Sequence, residues 1–270
     1  MNHGRERIVA ERPGLFTPRD CAAAFVAAVA HKFASEANAR IDRFGAITAI
    51  RYQSEMSHPW PRAFQYTLEM MAEDGIEAGE IDRVYKTVAR DPAEECVINL
   101  LVPAPAFLIR DLSALGYSIA WRSDLLAFPL QPPFLRKPKT GALRIVKVNT
   151  PLHVEQTALL GAAQRSHAVA LVDLNLNDFL ALLDNEPVAR AQLVTTDLGI
   201  GYVADMFTAP GHRRAGHAGA LLHTLHQEAY RLGMRHSVLA PSLMAHQFGV
   251  YERYGYRTCI PKVVLFHTPY

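Results

Sequence analysis

Residues 203 to 222 read VADMFTAPGHRRAGHAGALL, which has the order of a strand, a loop and a helix. The strand is predicted to end at Thr208, a turn containing Pro210 follows, and small residues stand at 215, 216, 218 and 219. The first N–H groups of a helix lack partners within it and carry partial positive charge. Small side chains let phosphate oxygens approach such a backbone, and Arg213 and Arg214 add positive charge beside it. The stretch therefore predicts an anion-binding loop.

The loop alone is also compatible with an ordinary tight turn between a strand and a helix, because short glycine patterns such as R-x-x-G-x-A arise by chance. Other phosphate-binding patterns fit less well. The chain has no G-x-x-x-x-G-K-[ST] sequence, and the loop lacks the G-x-G-x-x-G spacing of a dinucleotide-binding fold.

The residues around this stretch alternate between strand and helix patterns, which predicts an α/β domain with a mixed sheet. Asn185-Glu186 is predicted to be a hairpin turn, and Gly233 to end the helix that follows the loop. The predicted strands are 143–148, 179–184, 187–195, 201–208, 238–240 and 263–267, and the predicted helices are 151–164, 218–232 and 244–253.

A segment from Leu130 to Ala142 contains three prolines and a glycine and has no apolar periodicity, so it is predicted to be an extended connector. It divides the chain into residues 1–135 and 136–270, each of ordinary domain size. Two apolar stretches in the first half, Cys21 to Ala30 and Val97 to Ile109, are too short or too rich in proline to span a membrane. Both are predicted to be buried core.

The two halves end alike, in Leu115-Gly116-Tyr117 and in Tyr254-Gly255-Tyr256, each followed at the same spacing by an apolar strand pattern. An internal repeat of this kind indicates two related domains. The repeat and the alternating pattern together predict a two-domain α/β protein.

Composition excludes several classes of protein. The formal net charge is +2 without a concentrated basic stripe, which argues against a nucleic-acid partner. The three cysteines are far apart, so neither a disulfide framework nor a zinc site is expected. The N-terminus lacks a signal-peptide core. We expect a soluble, cytoplasmic protein without a membrane partner, either a monomer or a homodimer.

Two segments together resemble the GNAT superfamily of acyl-CoA N-acyltransferases. The strand ending at Thr208 and the loop from Arg213 to Ala218 are similar to the motif of that family that binds coenzyme A. About thirty residues later, Val250 to Tyr256 (VYERYGY) is similar to its second signature, which closes a helix. The resemblance covers residues 142 to 270.

The resemblance implies a role for each matching residue. Acetyl-CoA, or another acyl-CoA, would be the co-substrate, and its pantetheine arm would pair with the strand edge at Met206, Phe207 and Thr208. Tyr251 would be the general acid that protonates the departing thiolate, although an aromatic residue there could also simply pack the helix onto the sheet. The pyrophosphate would lie on backbone N–H groups, with Arg213 at the entrance of the loop, at Arg214, Ala215, Gly216, His217, Ala218 and Gly219.

The chain departs from the family pattern at the general base. Tyr202 and Ala204 are not acids, and Asp205 lies on the opposite face of the strand unless a bulge rotates it. The base is left unassigned. No metal is expected, since His223 and His226 share a helix face without a third ligand and are predicted to be surface histidines together with His212 and His217.

The repeat places Asp74-Gly75-Ile76 opposite Arg213 to Ala215, and Leu112 opposite Tyr251. An acidic loop repels phosphate and leucine has no proton to donate, so residues 1–135 resemble a degenerate GNAT-like domain of the kind found in bacterial tandem-GNAT proteins. We expect this half to form a wall of the acceptor pocket. The segment Met56 to Phe64 (MSHPWPRAF) is a candidate acceptor-side loop, or simply packing.

The resulting hypothesis is an N-acetyltransferase that transfers an acyl group from acyl-CoA to the amine of a small molecule by direct attack. Two alternatives stay open. One is a non-catalytic acyl-CoA-binding sensor or partner protein, and the other is acyl transfer to a hydroxyl or a carrier-bound substrate.

Overall fold

The computed structural model describes residues 16–58, 64–102, 106–132, 142–160, 168–242, 245 and 249–267. The strands are β1 (Arg40–Phe44), β2 (Ile47–His58), β3 (Phe64–Ala72), β4 (Cys96–Leu100), β5 (Tyr117–Pro129), β6 (Arg144–Lys147), β7 (Leu176–Leu183), β8 (Glu186–Thr195), β9 (Ile200–Thr208), β10 (His236–Leu239) and β11 (Arg257–His267). The helices are α1 (Pro18–Ala37), α2 (Ala78–Val88), α3 (Ala106–Ala114), α4 (Pro151–Ala158) and α5 (His217–Arg231), with short 3₁₀ turns at Val169–Leu171, Pro210–His212 and Glu252–Tyr254.

The eleven strands form one mixed sheet in the order β1-β2-β3-β4-β11-β5-β10-β9-β8-β7-β6. The order is nearly symmetric about the boundary between β11 and β5. The β3–β4 and β9–β10 pairs are parallel, and the other pairs are antiparallel. The mixed α/β fold class predicted from the sequence is confirmed.

The two halves exchange their last strands. The first half ends in β5, which pairs with β10 of the second half, and the second half ends in β11, which pairs with β4 of the first. β5 and β11 also pair with each other along their length. The sheet is therefore continuous across the two halves of the sequence.

Helix α1 covers one face of this sheet and contacts both halves. Its N-terminus is stabilised by a capping box, in which Thr17 and Asp20 bond each other's backbone N–H groups. Its apolar side chains pack in one cluster with side chains from both halves, for example Ile50 on β2 of the first half and Tyr202 on β9 of the second half. The predicted buried stretch from Cys21 to Ala30 is confirmed, since its side chains form the inner side of α1.

The opposite face of the sheet carries α2 and α3 over the first half and α5 over the second. Both halves share the order of three strands, a helix and a strand, and each ends in a long strand. The internal repeat indicated by the sequence is confirmed by this topology. Among the described residues, no helix is long and apolar enough to span a membrane.

Local predictions in the second half agree with the structure in the order of most elements, but several bounds differ. β7 and β11 begin earlier than predicted, at Leu176 and Arg257, and α4 ends at Ala158, before the predicted end at 164. The hairpin of β7 and β8 is present, but its turn is Asp184-Asn185, where both φ angles are positive, rather than Asn185-Glu186. The helix predicted for 244–253 is wrong in its second part, because the chain turns at Gly249 (φ 55°) and continues as a 3₁₀ turn at Glu252–Tyr254.

Several predictions concern residues outside the described ranges. Most of the connector between Leu130 and Ala142 lies there, as do the middle of the segment from Met56 to Phe64 and the last part of the helix predicted for 151–164.

Candidate functional site

The candidate site begins where β9 and β10 separate. Their parallel pairing ends at Val203 and Leu239, and β9 then continues to Thr208 while β10 stops. From Ala204 onward, β9 remains paired with β8, and within the described ranges no strand pairs with it on the side of β10. We call the opening between residues 204–208 and 240–242 the β9–β10 cleft. A free strand edge offers backbone donors and acceptors to an extended ligand.

A bulge shapes β9 at the mouth of this cleft. Arg190 of β8 lies opposite Phe207 and Gln192 lies opposite Ala204, so Ala191 faces two residues, Asp205 and Met206. Asp205 has φ 50°, a conformation that aspartate adopts more readily than most residues. The bulge that is needed for Asp205 to face the cleft is therefore present, and Asp205 is among the residues that line the cavity there.

Beyond Thr208 the chain makes a 3₁₀ turn and enters α5 at His217. Arg214 (φ 63°) and Gly216 (φ 84°) are in left-handed conformations, and no side chain caps the first turn of the helix. Its N–H groups are therefore available to an anion. Arg213, Arg214 and Ala215 are exposed, and Arg213 Nε donates to the Thr208 carbonyl at 3.2 Å.

Gly219, in the first turn of α5, lies against the second signature segment. A Cβ atom at this position would be 2.7 Å from Cε1 of Tyr254, so only glycine allows this contact. Ala218 is half-buried beside it and His217 is buried. Burial, and then the proximity of His212, lowers the pKa of His217, which stays neutral at neutral pH.

The β9–β10 cleft contains a cavity of about 300 Å³. Tyr251 lies on its wall together with residues of β9 and of the chain after β10, and α1 of the first half closes another side. The lining residues are Val29, Lys32, Phe33, Tyr202, Val203, Ala204, Asp205, Met206, Leu239, Ala240, Ser242 and Tyr251.

Tyr251 is half-buried and packs on the core beneath α5, with its ring centroid 6.1 Å from that of Tyr256. Burial, and then the neighbouring Tyr254, raises the pKa of Tyr251 to about 12. The phenol therefore keeps its proton at neutral pH and is able to donate it to a departing thiolate.

Two of the four histidines predicted at the surface are buried instead. His226 is fully buried, its ring stacks on Phe128, and its Nε2 is 2.8 Å from the hydroxyl of Tyr256. Burial, and then His223, lowers the pKa of His226 to about 4. The prediction of surface histidines was wrong for these two. His217 is buried because it begins α5 beneath the turn that connects β9 to the helix, and His226 is buried because it lies on the side of α5 that packs on the sheet. Within the described ranges, no group of three His, Cys, Asp or Glu side chains is arranged to hold a metal ion.

A polar network that was not predicted from the sequence links α1 to the cleft. Lys32 is 4% exposed, and its Nζ donates to Glu36 at 2.7 Å, to Gln192 at 2.6 Å and to Asp205 at 2.7 Å. The signal was present, because Lys32 follows Cys21, Phe25 and Ala28 at helical spacing and so shares their buried face.

Within the described ranges, β3 and β4 of the first half do not separate as β9 and β10 do, although a cavity lined partly by Glu73, Asp74 and Leu101 lies where they end. The chain takes fourteen residues from Val203 to the start of α5 at His217, but six from the equivalent Ala72 to the start of α2 at Ala78. β3 therefore has no extension beyond its pairing with β4. Leu112, opposite Tyr251 in the repeat, is fully buried in the core beneath α2 and α3.

Comparison with known proteins agrees with this geometry. Residues 190–259 match the model of the acetyltransferase (GNAT) domain family. A GCN5-related N-acetyltransferase from Kribbella flavida has a similar structure, with 21% identity, a TM-score of 0.65 and coverage of 90% of this chain and 95% of that one. A search of curated proteins finds no match.

Two further structures are similar at lower identity. A tandem GNAT protein from the clavulanic acid biosynthesis pathway has 11% identity, a TM-score of 0.55 and 82% coverage of both chains. A GCN5-related N-acetyltransferase from Sphaerobacter thermophilus has 15% identity, a TM-score of 0.55, and coverage of 82% of this chain and 76% of that one. These likenesses show the fold. Residues 190–259 thus match a GNAT acetyltransferase domain, whose reaction is acyl transfer from acyl-CoA, and the chain as a whole has a fold similar to that of GNAT proteins, a tandem GNAT protein among them.

Proposed function

We propose that the protein transfers an acetyl group from acetyl-CoA to the amine of a small molecule. The observation that carries this proposal is the β9–β10 cleft, where the edge of β9 and Tyr251 line one cavity and β9 leads through a short loop to the uncapped N-terminus of α5. A thioester with a diphosphate-bearing arm requires these three features together.

The described residues fit coenzyme A. The open first turn of α5 suits its pyrophosphate, and the left-handed Gly216 brings the backbone to the ligand without a side chain in the way. Arg213 is exposed at the entrance of the loop. The pantetheine arm would pair along Met206, Phe207 and Thr208. The N–H groups that would hold the pyrophosphate are those of Arg214, Ala215, Gly216, His217, Ala218 and Gly219.

The chemistry follows from Tyr251 and from proximity. The lone pair of the acceptor nitrogen forms a bond to the thioester carbonyl carbon, whose oxygen takes up negative charge. When the carbonyl re-forms, the carbon–sulfur bond breaks and the sulfur takes the proton of the Tyr251 hydroxyl. The nitrogen releases its surplus proton, and Tyr251 regains one from solvent.

The first half is the proposed acceptor-side wall. Val29, Lys32 and Phe33 of α1 line the cleft opposite Tyr251. The acidic Asp74 and the shortened loop before α2 leave the first half without a place for a diphosphate. We therefore propose one acyl-CoA site, in residues 136–270, with residues 1–135 bounding the acceptor pocket.

Cofactor binding is tested by calorimetry with acetyl-CoA on the full chain, which should bind one equivalent. Gly216→Val should abolish binding, because a β-branched side chain at φ 84° is strained and blocks the approach of the pyrophosphate. Gly211→Val is the matched control, since nothing lies within 4 Å of a Cβ added there. Undiminished binding by the Gly216 variant would refute the proposed cradle.

The catalytic role is tested with Tyr251→Phe, by following thiol release over a panel of amines. Turnover should fall about 10²-fold while acetyl-CoA affinity stays nearly unchanged, because the ring that packs is kept and the proton is lost. Parallel losses of both would indicate a packing role. Binding of acetyl-CoA without turnover of any amine would instead favour a sensor or a different acceptor.

A further inference from the structure

We propose that Lys32 of the first half is a positioning residue for the transfer reaction. Its ammonium group holds the carboxylate of Asp205 at the β9–β10 cleft, where that carboxylate contacts the amino group of the acceptor. This inference rests on the proposed amine acyltransfer, and it names residues that neither signature segment contains.

Two features place the Asp205 side chain, namely the bulge in β9 and the contact with Lys32. The bulge in β9 turns its side chain toward the cleft, and Lys32 Nζ lies 2.7 Å from its Oδ2. The Asp205 side chain is 38% exposed, in contrast to 5% for Lys32. Both residues line the cavity, and the carboxylate is much the more exposed of the two charged groups.

Lys32 itself is unsuited to bind a substrate. A lysine ammonium has three N–H donors, and Glu36, Gln192 and Asp205 accept all three. Gln192 also donates to Glu36 at 2.6 Å and to Asp178 at 2.8 Å. The network therefore fixes Lys32 in one position, and Asp205 is the more exposed of its two members that line the cavity.

The groups around Asp205 suit an amine. Two carboxylates, those of Glu36 and Asp205, contact the ammonium of Lys32, and a third, that of Asp178, accepts from Gln192 in the same network. Tyr202 and Tyr251 are the other titratable groups that line the cavity. Burial, and then the charge of Asp205, raises the pKa of Tyr202, so its phenol is neutral. Among the described lining residues the charges of Lys32 and Asp205 cancel, but the Asp205 side chain is the more exposed of the two, so the wall offers a hydrogen-bond acceptor to an amino group.

The contact also supplies the missing proton acceptor. After the amine nitrogen has bonded to the carbonyl carbon, it carries a positive charge and one proton too many. That proton passes to the Asp205 carboxylate, and solvent later removes it from the resulting carboxyl group. Lys32 neither gains nor loses a proton in this sequence.

The main test uses Asp205→Asn, because its partly exposed amide keeps the shape and can still accept from Lys32. Thiol release from acetyl-CoA is measured over pH with tyramine, glucosamine, spermidine and lysine as acceptors. With the best of these amines, kcat/KM should fall about 10²-fold. The part of the acid limb that is due to the Asp205 carboxylate should disappear and leave only the part that is due to protonation of the amine, while the acetyl-CoA Kd stays the same.

Lys32→Gln tests the positioning role. It should lower kcat/KM for the amine about tenfold and move the acid limb to higher pH, because the loss of a neighbouring ammonium favours the protonated carboxyl. Lys32→Arg should restore the wild-type limb. Ser35→Ala is the control. It removes a different hydrogen bond between α1 and the second half, from Ser35 to Asp173 at 2.8 Å, and leaves the cleft unchanged.

The outcomes separate the two proposals. Suppose that the wild type acetylates an amine, and that kcat/KM for Asp205→Asn and Lys32→Gln stays within about twofold of the wild-type value with the same pH profile. The inference about Lys32 and Asp205 then fails, and the proposed function stands. If Lys32→Gln does not fold, Asp205→Asn decides alone. A wild type that binds acetyl-CoA and releases thiol with none of the four amines overturns both.

Discussion

The exchange of β5 and β11 predicts that the second half does not fold alone. A fragment of residues 136–270 lacks β5, whose partners are β10 on one side and β11 on the other. Leu126 and Leu130 are buried in the core beneath α5, and Leu125 in the cluster beneath α1. Burying a leucine contributes about 1.5–3 kcal/mol, so these three amount to about 5–9 kcal/mol.

That loss is comparable with the total stability of a typical domain, about 5–15 kcal/mol. The assay is far-UV circular dichroism with thermal unfolding, on the fragment and on the full chain. We expect no cooperative transition from the fragment alone. The control is co-expression of residues 1–135 and 136–270 as separate chains, which should form a one-to-one complex that unfolds cooperatively.

A fragment of residues 136–270 that unfolds cooperatively within a few degrees of the full chain would refute this reasoning. It would mean that the interior of the second half closes without β5, and that the continuous sheet adds little stability. Binding of acetyl-CoA by that fragment would lead to the same conclusion.

The remaining predictions concern the packing of α5. Gly219→Ala should lower stability by about 1–3 kcal/mol, because the new Cβ would lie 2.7 Å from the Tyr254 ring, whereas Gly211→Ala should change little; denaturant titration compares the two. His226 should make the protein less stable in acid, since burial lowers its pKa from 6.5 to about 4. A folded-state pKa below the unfolded one means that protonation favours unfolding, so stability should drop by roughly 3 kcal/mol as the pH falls from about 6.5 to 4. His226→Leu, assayed by thermal unfolding across that range, should lose this part of the slope while also losing the bond to Tyr256; an unchanged slope would exclude His226 as its source.

Local features of the fold could be predicted from the sequence because neighbouring residues decide them. The order of strand, loop and helix at 203–222 follows from apolar runs interrupted by Pro210 and small residues. The hairpin of β7 and β8 and the end of α5 before Gly233 have similar local causes. The turn at Gly249 was missed, because the apolar spacing of 244–253 continues across this residue, whose positive φ is incompatible with a helix.

The repeat was also predictable, since the Gly-Tyr endings of the two halves sit in equivalent turns before β5 and β11. The exchange of those strands was not, because each has an apolar pattern that would suit either half. Pairing partners far apart in sequence are chosen by the packing of the whole sheet, and the pattern of a single strand does not specify them.

The candidate site likewise has one part that could be predicted from the sequence and one part that could not. The loop at Arg213 to Gly219 and the signature around Tyr251 are continuous segments whose residue types are visible in the chain. The contact of Lys32 with Asp205 joins residues 173 positions apart. It requires a bulge in β9, a buried lysine on α1 and the docking of that helix across both halves. Each of these is a consequence of tertiary packing, because a buried ammonium is tolerated only where the fold brings its acceptors together.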